Sequence, residues 1–253
     1  MRTGTRVVTG LVVLAMALPS LAQTNSQSVK LFQSYFFDSP VARTPYAQGG
    51  LAYNDYEGSS GLWIGPQGGF PINDKIEVEG AIAYVSWSPG ESGISDLGLY
   101  GRYNLVDNKA LNGSVGAMVT LPIGSEKVGA GNLNFGGFGA LRYALQNGMT
   151  ITGNVGLLFF ETTTFKFDLQ KGTLEENTSH ESRLNLGVGA IYPVSKLLHV
   201  VGELVLQSKY DYMLLSAGAD YKVANGRVRG SLGLGLDDGA PDLQLIAGYA
   251  ISF

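Results

Sequence analysis

The last eleven residues of the chain alternate between two kinds of side chain. Leu243, Leu245, Ala247, Tyr249, Ile251 and Phe253 are the apolar set, and the residues between them include Gln244, Gly248 and Ser252. Successive side chains of a strand point to opposite faces, so this period of two predicts a β-strand with one continuous apolar face. Each edge of such a strand needs a hydrogen-bonding partner, and this need limits the folds open to the chain.

The same alternation recurs from residue 47 onward, with turn-forming residues between the segments. It predicts twelve strands, at 48–56, 61–70, 75–87, 94–105, 112–122, 133–145, 149–161, 181–192, 197–208, 212–223, 227–237 and 242–253. An even number of strands of about ten residues is typical of a bacterial outer-membrane barrel. The predicted fold class is therefore all-β, a twelve-stranded antiparallel transmembrane β-barrel.

The connections between these strands alternate in kind. Tight turns are predicted at 71–74, 106–109, 146–148, 193–196 and 223–226, and longer polar loops at 57–60, 88–93, 123–132, 162–180, 209–211 and 238–241. Short periplasmic turns and longer outer loops distinguish the two ends of outer-membrane barrels. Both termini are therefore expected on the periplasmic side, and 162–180 is expected to be a long, mobile outer loop.

The N-terminus has the pattern of an export signal. Arg2 and Arg6 precede the apolar run from Leu11 to Leu18, and Ser20-Leu21-Ala22 forms a small-residue cleavage site. The apolar run is far shorter than the roughly 20 residues of a membrane-spanning helix. We expect a cleaved signal peptide at 1–22, an N-terminal periplasmic arm or plug at 23–46, and the barrel at 47–253. The alternation in 23–46 is too poor to predict a strand there.

A secreted β-sandwich would also alternate, because it buries one face of each sheet. Three features favour the membrane barrel: glycines concentrate on the polar faces, aromatic residues lie near strand ends on the apolar faces, and the chain ends in an aromatic residue. Tyr249, Ile251 and Phe253 match the C-terminal signal that the barrel-assembly machinery reads. That machinery is an expected partner, together with outer-membrane lipid.

The polar faces define the candidate lumen. The charged residues on them are Glu77, Glu79, Asp96, Arg102, Arg142, Arg183, His199, Glu203, Asp220, Lys222, Arg227 and Arg229. The aromatic residues on them are Trp63, Trp87, Tyr100, Phe138 and Phe160. Five acids against six permanent bases do not indicate strong ion selectivity. The charges either form structural pairs or set a field that selects solutes, and the aromatic rings either fill the barrel or line a path.

One luminal pair can be predicted in detail. The turn at 223–226 contains Asn225-Gly226, a favoured two-residue hairpin turn. Asp220 and Lys222 point inward before the turn, and Arg227 and Arg229 point inward after it. Each register that agrees with these faces brings Asp220 within reach of Arg229, so we expect an ion pair between them.

The chain shows little that indicates catalysis or a cofactor. It has no cysteine, and its 17 basic and 21 acidic residues do not form a basic nucleic-acid footprint. The two histidines, His180 and His199, are not placed with a serine, and the acidic run at Glu175-Glu176 is best interpreted as solvated. We therefore predict no enzyme activity, cofactor, metal site or nucleic-acid partner.

Three segments resemble a known family. They are Gly93-Ile-Ser-Asp96-Leu-Gly-Leu-Tyr-Gly-Arg-Tyr103, Leu121-Pro-Ile-Gly124 and the hairpin from Gly233 to Asp242. They are similar to strands of the phenol meta-pathway (MetA-type) outer-membrane transporters. The resemblance implies a barrel and passive transport, and it carries no catalytic residue to this chain.

The expected function is therefore porin-like transport in the outer membrane of a Gram-negative cell. The chain would be a channel or transporter for passive uptake of small solutes, amphipathic or aromatic ones included. A first alternative is a structural or adhesive barrel without an open pore. A second is an outer-membrane lipid hydrolase, which would need a Ser/His pair at the outer rim.

Overall fold

The computed structural model describes residues 29–168 and 173–253, without the side chains of residues 163–177. The predicted signal peptide and residues 23–28 lie outside the described residues. Within the described part of the chain, no helix is long and apolar enough to cross a membrane.

The regular structure consists of strands. They are β1 (Tyr46–Tyr56), β2 (Ser59–Asn73), β3 (Ile76–Ala81), β4 (Tyr84–Ser88), β5 (Ser92–Ile94), β6 (Leu97–Asp107), β7 (Leu111–Leu121), β8 (Asn134–Ala144), β9 (Thr150–Asp168), β10 (Thr173–Pro193), β11 (Leu198–Gln207), β12 (Tyr212–Val223), β13 (Gly226–Gly235) and β14 (Leu243–Ser252).

These segments form one closed antiparallel barrel. β1 pairs with β2 on one side and with β14 on the other, where Tyr46 lies opposite Ser252. β3 and β4 together form one wall strand against β2, and β5 and β6 form the next, so fourteen segments make twelve wall strands. The predicted twelve-stranded antiparallel barrel is confirmed. Closure gives every wall strand two partners and removes the open edges that lipid cannot satisfy.

The two faces of the wall differ as the alternation predicts. On β13, the outward Leu232 and Leu234 expose 58% and 54% of their surface, whereas the inward Arg229 and Ser231 expose 3% and 7%. Apolar side chains turned to lipid and polar side chains turned inward are the reverse of a soluble core. We call the end that carries the connections 89–91, 122–133 and 169–172 the outer end, and the end with both barrel termini the inner end.

The wall is irregular midway along the strand that β3 and β4 form. Pro66 of β2 has no N–H to donate to the neighbouring strand, and the strand opposite it is interrupted at 82–83. There the carbonyl oxygen of Ile82 approaches Gly65 closely, and a Cβ on Gly65 would lie 2.1 Å from that oxygen. On the other side, residues 95–97 oppose the two residues 82–83, which is a β-bulge. The strands predicted at 75–87 and 94–105 are therefore each divided in two.

The prediction of a long loop at 162–180 is wrong. β9 and β10 continue their pairing through this region to Asp168 opposite Thr173, so only 169–172, outside the described residues, connects them. Polar composition indicated a loop, but polar residues also form strands where both faces meet water. Thr162, Thr163 and Thr164 are β-branched and favour an extended backbone.

The hairpin at β12–β13 has the register of the predicted ion pair, with a different turn. Asp220 lies opposite Arg229 and Val223 opposite Gly226, so the two turn residues are Ala224 and Asn225. Gly226 is the first residue of β13, where a Cβ would lie 2.2 Å from the carbonyl oxygen of Ala250. The glycine is needed there for close strand approach rather than for the turn itself.

Candidate functional site: the barrel lumen

Residues 29–45, which we call the luminal segment, run through the barrel interior. Val29 and Leu31 at its start are fully buried and pack against Ile191 of β10 and Val201 of β11. The rest of the segment contacts inward side chains of β3, β6, β8, β11 and β13, as described below. The lumen is therefore occupied by a non-strand part of the same chain.

Glu203 on β11 holds the first turn of the luminal segment. Its carboxylate accepts backbone N–H groups from Phe32 at 2.6 Å, Gln33 at 3.1 Å and Ser34 at 3.1 Å. Converging N–H groups form a small anion-binding nest, and a buried carboxylate is stabilised when it accepts several of them. Glu203 thus fixes the depth of the segment in the barrel.

Two arginines bind the middle of the segment. Arg142 on β8 donates from Nε to Asp38 Oδ1 at 2.8 Å, pairs its terminal nitrogen with Oδ2, and donates to the Val29 carbonyl at 2.6 Å. Arg102 on β6 donates to the carbonyls of Asp38 at 2.7 Å and Pro40 at 3.0 Å. Each of the two guanidinium groups thus holds two points of the segment, and Arg142 does so partly through a carboxylate.

A pair of acids on β3 binds the same segment from another side. Lys30 Nζ lies 3.1 Å from Glu79 and 3.7 Å from Glu77. Glu77 also accepts the backbone N–H of Ala42 at 2.7 Å, and Glu79 pairs with Arg102 and accepts the hydroxyl of Tyr46. These buried acids are therefore compensated both by the wall and by the segment, as buried charges must be.

Arg229 on β13 contacts both the wall and the start of the segment. It donates to Gln48 Oε1 at 3.1 Å, pairs with Asp220 at 2.9 Å, and lies 4.6 Å from the ring centroid of Phe32. The ion pair predicted between Asp220 and Arg229 is thus present, and Arg227 also pairs with Asp220.

Two cavities meet at Arg229. One of about 440 Å³ lies toward the outer end, where Trp63 and Tyr100 line it, and one of about 240 Å³ lies toward the inner end, where Asn112 and Arg227 line it. Tyr35, Gln48 and Arg229 line both cavities. The outer cavity and the inner cavity are therefore adjacent, and the side chains of these three residues lie at their boundary.

The structure brings about half of the predicted lumen residues to the luminal segment. Glu77, Glu79, Tyr100, Arg102, Phe138, Arg142, Glu203 and Arg229 contact it directly, and Asp220 acts through Arg229. The others lie elsewhere. Trp63 and Trp87 pack edge to face toward the outer end, Arg183 lies beside Phe160 nearer the rim, and Lys222 and Arg227 lie at the inner mouth.

Asp96 has a role that the strand pattern did not indicate. Its carboxylate accepts the backbone N–H groups of Gly124 at 2.9 Å and Ala130 at 2.6 Å. It therefore ties the connection 122–133 to the bulge in the wall. The sequence does not reveal the bulge, so from the sequence alone Asp96 looks like any other luminal charge.

Sequence reasoning missed three partners of the wall charges, two of them on the segment and one on β1. Lys30 and Asp38 meet the wall charges, and Gln48 accepts a hydrogen bond from Arg229, but none of the three was singled out. The available signal was two bases, Lys30 and Arg43, and one acid, Asp38, in an aromatic-rich stretch without strand alternation. Pairing them with particular wall residues requires the three-dimensional path of the segment.

Neither histidine forms a recognisable catalytic pair. His180 is exposed and its Nδ1 lies 3.2 Å from Glu161, while the buried His199 has Arg227 at 3.4 Å. Among the described residues, no serine hydroxyl is hydrogen-bonded to either ring, and no group of three or more His, Asp or Glu residues is arranged to hold a metal. The side chains of Glu175 and Glu176 lie outside the described part.

Comparison with known proteins gives matches in structure only. No family model matches the sequence, and no curated protein matches it. An outer-membrane channel from Pseudomonas putida F1 has a TM-score of 0.65 at 13% identity, over 88% of this chain and 100% of that one. The KdgM porin has 0.54 at 11% identity, over 81% and 99%. The β domain of the Bordetella autotransporter BrkA has 0.50 at 15% identity, over 83% and 99%.

The fold is that of outer-membrane β-barrels. Together with the apolar outer surface, it is the fold of a protein that spans a membrane with strands, and it agrees with the predicted outer-membrane location. A channel, a porin and an autotransporter domain share this fold, so the function has to be argued from the lumen.

Proposed function

We propose that this chain is an outer-membrane channel for passive uptake of small solutes, including amphipathic and aromatic ones, and that the luminal segment closes it in this conformation. The observation that carries the proposal is the pair of cavities that share Tyr35, Gln48 and Arg229 as lining residues. Two of these three side chains belong to the wall and one to the segment. A modest displacement of the segment would join the cavities into one path.

The way the segment is attached supports such a displacement. The hydrogen bonds that hold residues 29–44 use side chains, such as those of Glu203, Arg102 and Arg142, rather than the backbone ladder. The ladder between β1 and β14 closes the barrel independently of the segment. Water can replace side-chain partners in an open lumen, so the wall keeps its structure when the segment leaves.

The outer cavity supports a preference for solutes with an apolar face. Trp63, Phe36 and Tyr100 line it, and Trp87 and Tyr56 lie just beyond Trp63. Indole and phenol rings offer both apolar area and a polar group, which suits amphipathic solutes.

Membership in the phenol meta-pathway transporter family is part of this proposal. Two of the resembling segments touch each other, because Asp96 of the first accepts the N–H of Gly124 in the second. In the third, a Cβ on Gly235 would lie 2.4 Å from the carbonyl oxygen of Pro241. These residues thus have structural reasons to be where the family pattern has them.

A reversible lock tests the proposal. Ser114 on β7 donates its hydroxyl to the Ser39 carbonyl of the luminal segment, and the chain has no cysteine of its own. The double variant Ser39→Cys with Ser114→Cys should conduct in planar bilayers when reduced and fall silent when oxidised. Ser114→Cys alone is the control, whose conductance a reductant should not change. Equal conductance of the oxidised and reduced double variant would show that the segment is not the gate.

The filled lumen also favours a second candidate, a structural barrel without a pore. A variant that lacks residues 29–44 distinguishes the channel from the structural barrel. A folded barrel that stays silent after this deletion would support the structural role and exclude the channel.

A further inference from the structure

The luminal segment presents two aromatic rings and a carboxylate in succession. Phe36, Phe37 and Asp38 all lie in the barrel, and Asp38 is only 2% exposed. Each of these three groups contacts a matching group of the wall.

The rings of the segment meet rings of the wall. Phe36 stacks on Tyr100 of β6, with centroids 4.1 Å apart and planes 5° from parallel. Phe37 meets Phe138 of β8 edge to face, with centroids 5.3 Å apart. Both geometries are favoured ones for aromatic pairs.

The carboxylate of Asp38 forms a bidentate pair with an arginine of the wall. Arg142 contacts both oxygens of Asp38 through two different nitrogens, and its side chain is almost completely buried. Paired N–H donors of this kind recognise the plane of a carboxylate as well as its charge. Arg102 lies beside this pair and holds the Asp38 carbonyl at 2.7 Å.

Two wall strands each carry an aromatic residue and an arginine on the inner face. β6 carries Tyr100 and then Arg102 on its inner face, and β8 carries Phe138 and then Arg142. In both strands the aromatic residue is nearer the outer end. Gly116 of β7 lies between them, opposite both Arg102 and Phe138, and leaves room for the Phe138 ring.

We propose that these four wall residues form a binding site for an aromatic carboxylate, and that Phe36, Phe37 and Asp38 occupy it as an internal substitute for that solute. The inference rests on the proposed channel function and names its solute class. A monocarboxylate with one phenyl ring would place the ring against Tyr100 and Phe138 and its carboxylate on Arg142. The solute would displace Phe36, Phe37 and Asp38 from these wall residues and so release the luminal segment. A neutral aromatic solute replaces the rings but not the carboxylate of Asp38.

Calorimetric titration of the folded, full-length protein in detergent tests the site without any mutation. The probes are phenylacetate, its neutral counterpart phenylacetamide, and the non-aromatic cyclohexylacetate. Phenylacetate should bind about tenfold more tightly than phenylacetamide, the factor expected for a charge-assisted hydrogen-bonded pair. It should also bind more tightly than cyclohexylacetate. Equal binding of phenylacetate and phenylacetamide, or no binding of phenylacetate, would overturn the proposal.

Two variants then locate the site. Asp38→Asn removes the internal competitor and should tighten phenylacetate binding about tenfold, whereas Arg142→Gln should weaken it at least as much. Asp74→Asn and Lys109→Gln, in exposed turns at the inner end, are matched charge removals that should leave binding unchanged. Unaltered affinity in Asp38→Asn would contradict the competition, even if Arg142→Gln does not fold.

The experiments distinguish an error in the proposed carboxylate site from an error in the proposed channel function. A chain lacking residues 29–44 that conducts, while phenylacetate and phenylacetamide bind the full chain alike, leaves the channel and removes the carboxylate site. A silent barrel that binds phenylacetate selectively leaves the site and removes the channel.

Discussion

At the residue scale, the lumen depends on where side chains are missing as much as on where they are present. Gly116 of β7 lies under the Phe138 ring, and a Cβ there would be 2.2 Å from the ring and 2.6 Å from the Gly101 carbonyl oxygen. The Phe138 ring has little freedom to move away, because Phe37 also packs against it. Small residues at such positions let a large inward ring lie flat against the wall.

Gly116→Ala should therefore destabilise the barrel, whereas the same change one strand away should not. Overpacking of this kind costs about 1–3 kcal/mol. A Cβ on Gly101 would have no atom within 4 Å, so Gly101→Ala should change the stability by no more than about 0.5 kcal/mol. The measurement is reversible urea unfolding in lipid vesicles. Equal midpoints for the two variants would show that Phe138 is not held as described.

At the element scale, two parts of the wall have distinct tasks. β14 pairs with β13 on one side and with β1 on the other, so it is the strand whose pairing with β1 closes the barrel. β9 and β10 are the longest strands, and their pairing continues into the region that the sequence had indicated as a loop. Each of these features leads to a prediction.

The C-terminal strand should carry the assembly signal. Tyr249 and Phe253 are 44% and 71% exposed, and the last strand offers an apolar, alternating edge to the assembly machinery by β-augmentation. Changing both to Ser should lower the amount of heat-modifiable barrel in the outer membrane. The control is the same pair of losses on β2, Phe70→Ser with Ile72→Ser, which also removes exposed apolar residues. Equal folded amounts for the two double variants would remove any special role of the C-terminus.

The β9–β10 hairpin should restrict where a protease can cut on intact cells. Lys166 pairs through its backbone with Glu175, whereas Lys171 belongs to the connection between the strands. Proteases bind extended, unpaired backbone, so trypsin should spare Lys166, and a cut between the two strands should fall after Lys171. Mass spectrometry of the fragments decides this. Cleavage that appears only after the cells are broken would mean that the barrel has the opposite orientation.

At the scale of the whole molecule, the charges of the barrel wall are balanced around the path. The buried or inward wall charges around the path are four acids and four arginines: Glu77, Glu79, Glu203, Asp220, Arg102, Arg142, Arg227 and Arg229. The segment places Lys30 and Asp38 among them, and its second base, Arg43, lines the inner cavity. Removing residues 29–44 therefore takes away two bases and one acid and leaves a path whose wall charges cancel.

A chain lacking residues 29–44 should fold, conduct and discriminate little between small ions. Pro45 is kept because its carbonyl accepts the Phe253 N–H at 2.9 Å. The reversal potential of this variant in a potassium chloride gradient should lie near zero, because the wall charges cancel. In the same background, Glu203→Gln should shift it toward anion selectivity. A strongly selective pore without that substitution would show that the charges do not face the path as described.

The sequence by itself determined the architecture. Alternation with a period of two predicted the strand faces, the number of strands and the lipid-facing surface. This is because consecutive residues of a barrel strand face lipid and the lumen in turn, and their polarity differs accordingly. It also brought Asp220 and Arg229 together, since a hairpin register follows from local turn geometry and face assignment. The strand ends were less certain, as β9 and β10 show, because outside the membrane both faces of a strand are polar.

Only the tertiary structure decided what fills the barrel. Residues 29–45 have no period, so nothing local indicates their path, and their partners Glu203, Arg142 and Arg229 lie more than 100 residues away along the chain. The pairing of Asp38 with Arg142 depends on barrel closure, which brings distant strands around a common lumen. Buried charges must find partners somewhere in that space, but which partner each finds is a property of the closed barrel and not of any segment of the sequence.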